Sequence, residues 1–212
     1  MESADLITCV SNHEKEMLVK EIGLSDDNIK IIYNGINWMD WESTPDKKKF
    51  RDRYSEISEK FVIFAGRLAT NKGIPDLIEA MSMKESHEFD LVVMGADMGL
   101  GKDLDKMATS KGVKMHRLGH VDDEIYRSAL SAAELLVLPS EYEAFGIVLL
   151  EAAAAQTPVV ATRVGGIPEA MSEGKNGLIV DYNDPKALSG AIFSILEDDS
   201  LKMEMGKFGR EF

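Results

Sequence analysis

The sequence contains a single cysteine, Cys9, in 212 residues. No internal disulfide and no cysteine-based zinc site can form. Cys9 falls inside the apolar run 6–10 and reads as a small buried hydrophobe. No apolar run approaches the roughly 20 residues needed to cross a bilayer. The acidic start MESAD also lacks the basic opening of a signal peptide, so a cytoplasmic protein is the expectation. Positive charge is scarce, with 24 Lys and Arg against 37 Asp and Glu and a formal net charge of −13. That balance argues against nucleic acid as a partner, while leaving room for a local pair of cations that grips a phosphate. Neither an internal repeat nor a low-complexity segment occurs. His13, His116 and His120 show no metal-ligand spacing, and no D-x-D pair adjoins a strand end, so no metal is expected.

What is present is a rhythm of short apolar runs and helical stretches. Strands are expected at 6–10, 30–33, 61–65, 90–94, 114–118, 134–138, 158–162 and 178–181. Helical patterns lie between them, for example at 74–83, 123–133, 147–155 and 185–197. FVIFA, DLVVM and ELLVL are apolar at consecutive positions, as in strands buried on both faces. The alternation predicts an α/β fold, a doubly wound parallel sheet flanked by helices. Residues 35–53 break the rhythm and read as a linker with a helix start near 43–46. Only one strand–helix–strand unit precedes them, too little to bury its own core. Trp38 and Trp41, within this linker, are expected to pack at a junction rather than stack on a ligand.

Ligands of such sheets bind at the C-terminal ends of the strands, where the strand order reverses. Two clusters fall there. Helix 147–155 is apolar on nearly every face, yet carries Glu151 at its middle. A buried carboxylate needs a donor, either an Arg or Lys from a neighbouring element or the hydroxyls of a ligand such as ribose. Glu143 stands eight residues earlier, in the loop feeding the same helix. That spacing alone says little. In the second cluster, Arg67 follows a strand and Lys72 precedes a helix whose first turn suits Pro75. Two cations flanking one strand-to-helix turn suit a diphosphate, or else are ordinary solvated side chains.

Several segments together carry a family resemblance. SEYEAFGIVLLEAAAAQTPVVA (140–161) resembles the E-x7-E signature of retaining glycosyltransferases of the two-domain GT-B fold, in the family-4 group. GRLATNKG, IIYNGIN, RLGHV and VGGIPE match further segments of that family in kind and order. The resemblance implies a Rossmann-like C-terminal half (38–212) that binds a nucleotide-diphosphate sugar. Residues 1–37 would be the last strand–helix–strand of an N-terminal acceptor domain otherwise missing here. Arg67 and Lys72 would hold the diphosphate, and Glu143 would hydrogen-bond the donor sugar. Phe145, Gly146 and Ile147 would offer backbone N–H groups, and Glu151 would take the ribose hydroxyls. His120 and Val121 would lie beside the base, with Gly66, Gly95, Gly165 and Gly166 permitting close approach. No cofactor beyond the sugar donor is implied. The chain would bind a donor but be incomplete for transfer alone, and peripheral membrane association of the full enzyme is compatible with the family.

Three rivals remain. Gly95-Ala-Asp-Met-Gly99-Leu-Gly101 follows a strand, as a dinucleotide-binding loop would, but its spacing is not G-x-G-x-x-G and it is not at the first turn. A GT-B epimerase or sugar phosphorylase would keep the fold without transfer. A non-catalytic nucleotide-sugar-binding or assembly subunit would keep the site alone.

Overall fold

The apolar runs become strands in the computed structural model, which describes residues 4–84 and 88–211. His87, expected in a charged loop, lies outside the described residues. Strands β1 (Ile7–Cys9) and β2 (Ile29–Ile31) pair in parallel around helix α1 (Asn12–Lys20) as a small sheet of their own. Cys9 is buried in it, as expected. The remaining strands are β3 (Phe61–Ala65), β4 (Asp90–Met94), β5 (Met115–Gly119), β6 (Leu135–Leu138), β7 (Val159–Thr162) and β8 (Gly177–Val180). They form one parallel sheet in the order β5-β4-β3-β6-β7-β8. Every residue of β3, β4, β6 and β7 is buried, which is why their sequences do not alternate. The edge strands β5 and β8 are only partly covered.

The helices cover both faces. They are α2 (Lys47–Arg53), α3 (Ile74–Ser82), α4 (Gly101–Ser110), α5 (Asp123–Ala132), α6 (Ile147–Ala154), α7 (Ile167–Ala170), α8 (Pro185–Leu196) and α9 (Asp199–Glu211). Asp46, Asp122 and Asp184 cap α2, α5 and α8 by accepting first-turn N–H bonds. Part of the expected linker turns out to belong to the large core. Phe50 of α2 is fully buried, and its N–H donates to Ser128 Oγ of α5 at 2.8 Å. Trp41 is buried too, while Trp38 lies under the Arg210 guanidinium of α9. Arg210 also donates to the Trp41 and Glu42 carbonyls, so α9 pins this stretch to the domain.

The chain runs β3, β4, β5 outward in one direction, then returns to lay β6 on the other side of β3. The strand order therefore reverses between β3 and β6. Loops leaving those two strands diverge, and a groove opens between them.

Candidate functional site

Two adjoining clefts occupy that switch point. One, of about 320 Å³, is lined by Asn34, Arg67, Lys72, Glu143, Ala144, Phe145, Gly146 and Ile147. The other, of about 340 Å³, is lined by Met94, Gly95, Gly119, His120, Val121, Asp123, Tyr126 and Glu151. Ala65 and Gly66, at the end of β3, and Val148 border both, so they form one groove. The predicted residues separate cleanly along it, cations at one end and the half-buried Glu151 carboxylate at the other.

At the cationic end, Lys72 Nζ lies 2.6 Å from Glu143 Oε2, with both side chains largely covered. Arg67 is exposed at the mouth and pairs with no carboxylate among the described residues. Gly146, in the left-handed conformation at φ 88°, caps α6 without a side chain. The first-turn N–H groups of α6 thus lack a capping side chain, the usual setting for an anion at a helix start.

The Glu143 loop owes its position to two glycines. A Cβ on Gly165, whose φ is 53°, would fall 1.8 Å from the Glu143 carbonyl oxygen. One on Gly166 would fall 2.2 Å from that of Ala144, and the Gly166 N–H donates to the Glu143 carbonyl at 2.9 Å. Gly165 and Gly166 line neither of these two clefts. The close approach they permit is of backbone to backbone, beneath Glu143. Asn12 and Tyr33 of the small sheet both donate to Glu169, just after these glycines, and Tyr33 packs on Phe145 at 5.8 Å. The first strand pair therefore buttresses the same loop.

At the other end, Glu151 has a partner that neither sequence reading foresaw. The Tyr126 hydroxyl, on α5, donates to Glu151 Oε2 at 2.5 Å. Burial raises the Glu151 carboxyl above its ordinary value; the Tyr126 bond pulls it down and the charge of Asp123 pushes it up again. Burial and the adjacent Glu151 carboxylate raise the Tyr126 phenol far beyond its usual range, so it stays a neutral donor. A signal for Tyr126 was present, since Asp123 and Tyr126 are three apart on one face of α5. Its target, on another helix, was not readable.

The dinucleotide rival fails on this geometry. Asp97 Oδ1 accepts from the Gly99 and Gly101 N–H groups at 2.9 and 3.0 Å, and Arg117 closes on the Oδ2 of the same side chain. The donors such a loop would offer to a pyrophosphate are already taken by a carboxylate. Among the described residues, no three His, Cys, Asp or Glu side chains gather closely enough to hold a metal ion. No described helix is long and apolar enough to cross a membrane.

A parallel sheet with this strand order, and a switch-point groove holding cations at one end and a half-buried carboxylate at the other, defines a Rossmann-like ligand-binding domain. Comparison with known proteins makes the class specific. The family model for glycosyl transferases group 1 matches residues 46–212, and the chain belongs to that family. It is 38% identical over 208 residues to the uncharacterized glycosyltransferase MJ1607 of Methanocaldococcus jannaschii, covering 93% of this chain and 52% of that one. Sucrose-phosphate synthase from Thermosynechococcus elongatus superposes with a TM-score of 0.87 at 28% identity, covering 99% of this chain and 53% of that one. Anabaena Alr3699/HepE, solved in complex with UDP and glucose, gives 0.88 at 24% identity, over 98% of this chain and 58% of that one. At that identity the likeness is one of fold. The chain spans about half the length of the curated relatives it matches.

Proposed function

We propose that this domain binds the sugar donor of a retaining glycosyltransferase, which moves a sugar from a nucleoside-diphosphate sugar to an acceptor. The observation that carries the reading is the ordering of groups along one switch-point groove. A base beside His120 and Val121 would place its ribose at Glu151. The diphosphate would then reach Arg67, Lys72 and the open N-terminus of α6, and the sugar would meet Glu143. Breaking the sugar–phosphate bond puts negative charge on the leaving diphosphate, and cations already in place stabilise it without reorganising. In the retaining reading, a leaving-phosphate oxygen takes the acceptor proton while the new bond forms on the face the phosphate leaves. Acceptor binding is assigned to the other half of a full-length protein, and the cytoplasm is the compartment that supplies such donors.

Calorimetric titration with UDP, ADP and GDP tests this reading. At least one is expected to bind, and Arg67→Ala and Glu151→Ala should each weaken it. Absence of binding by all three contradicts the proposal, and binding of NAD alone would restore the oxidoreductase. Adding the other half of a full-length relative and assaying transfer separates an enzyme from a binding subunit.

A further inference from the structure

The mechanism above uses Glu151 but leaves Tyr126 without a task. Both line the same cleft, Tyr126 from α5 and Glu151 from α6. A glutamate side chain on a helix can swing its carboxylate through several rotamers, and the apolar wall here, Val148 and Met94, offers no polar anchor. The 2.5 Å bond from the Tyr126 hydroxyl fixes one oxygen, Oε2. Among the described residues no other side chain donates to Glu151, so Oε1 stays open to a ligand.

We infer that Tyr126 is a positioning residue, whose hydroxyl holds the Glu151 carboxylate so that its free oxygen receives the vicinal diol of a ribose. It thereby sets the preference for ribonucleotides over 2′-deoxyribonucleotides. The inference rests on the placement of ribose at Glu151 proposed above. A ribose diol is a pair of donors, and an ionised carboxylate is acceptor-only, so the two match. A protonated Glu151 would present a hydrogen where an acceptor is needed. Three other titratable groups line this cleft: Asp123 and Tyr126 from α5, and His120 from the turn before it. Burial and Asp123 favour the proton on Glu151; the Tyr126 bond opposes it. Loss of the hydroxyl therefore both frees the carboxylate and shifts it toward the protonated form.

The test is calorimetric titration of the 212-residue chain with UDP, ADP and GDP and their 2′-deoxy counterparts across pH. The deoxy form carries the same diphosphate, so the ratio of affinities cancels phosphate titration and reports on the diol. Wild type is expected to prefer the ribonucleotide and to lose that preference on acidification. Tyr126→Phe should cut the ratio about tenfold at neutral pH and move its loss to higher pH. A hydroxyl with a merely structural role would lower the melting temperature and leave ratio and pH midpoint alone. Suppose Glu151→Ala abolishes the preference while Tyr126→Phe changes neither quantity. The positioning role is then overturned and the ribose reading stands. A Glu151→Ala variant that keeps the preference overturns both. Should Tyr126→Phe fail to fold, fluorotyrosine at position 126, a stronger donor of nearly the same shape, must lower the pH midpoint. An unmoved midpoint overturns the proposal.

Discussion

Glu143 and Glu151 stand eight residues apart in sequence and border one groove, yet they are held in opposite ways. Glu143 sits on a loop, its backbone clamped by Gly165 and Gly166 and its carboxylate against the Lys72 ammonium. Glu151 sits inside an apolar helix, its carboxylate on a neutral phenol. An ion pair between two side chains can be exchanged when a competing anion arrives, because the lysine can turn to phosphate and release the glutamate. A phenol whose titration is pushed far up stays neutral and carries no net charge to draw an arriving anion. The first carboxylate is thus built to change partners and the second to stay where it is put. Under the proposed donor-binding mode, a diphosphate and a sugar that must part would use the first kind of support, and a ribose that must stay put would use the second.

The largest effect that would break this comparison is on nucleotide affinity. Glu151→Ala removes the proposed diol acceptor and orphans the Tyr126 hydroxyl, and should weaken nucleoside-diphosphate binding about a hundredfold. Glu143→Ala, read by the same titration, should leave affinity unchanged or raise it, since Lys72 is then released. Equal losses from the two substitutions would erase the distinction.

Next in size is the loop clamp. Gly165→Ala forces a methyl group against the Glu143 carbonyl at positive φ, at a cost of about 2 kcal/mol. Denaturant unfolding measures the cost. Nucleoside affinity should survive, because the Glu151 end is supported by other helices. Lys72→Ala should then weaken diphosphate binding about tenfold and monophosphate binding much less. Similar losses for both would place Lys72 away from the terminal phosphate.

The smallest effect is the pH dependence of stability. Because the folded state raises the Glu151 carboxyl above its ordinary 4.5, the folded chain keeps a proton there that the unfolded chain has released. Stability from this group is full below 4.5 and falls as pH rises through the raised value, with a slope no steeper than one proton. Glu151→Gln should remove that slope. Asp90 acts with the opposite sign at lower pH. Burial alone would raise its carboxyl, but bonds from Lys114, the Ser58 N–H and His116 outweigh burial and hold it low. Comparing melting temperatures of wild type and Glu151→Gln across pH isolates the Glu151 contribution.

Much of this arrangement was legible in the sequence wherever the cause is local. Consecutive apolar residues gave away β3, β4 and β6, and Asp46 marked the start of α2. The covered setting of Glu151 was legible only in part: its helix is apolar on nearly every face, yet the structure leaves Ile147 exposed and Glu151 half-buried at the groove. Partnerships across elements were not legible. Tyr126 meets Glu151 only because α5 packs beside α6, and Lys72 meets Glu143 across the reversal between β3 and β6. That the Glu143 carbonyl is what meets Gly165 was also not legible, because sequence shows a demand for small size without showing what approaches. The Gly95–Gly101 stretch looked like a phosphate loop until Asp97 was seen to consume its N–H groups.

The proposed order of groups along the groove is tested most directly by a crystal structure of the chain with whichever of UDP, ADP or GDP binds. Ribose hydroxyls are expected within about 3 Å of Glu151, with the Tyr126 bond intact, and the diphosphate on Arg67 and Lys72 with Glu143 released from Lys72. A nucleotide lying the other way round, phosphates beside His120 and Glu151, or bound outside the groove, would contradict that order.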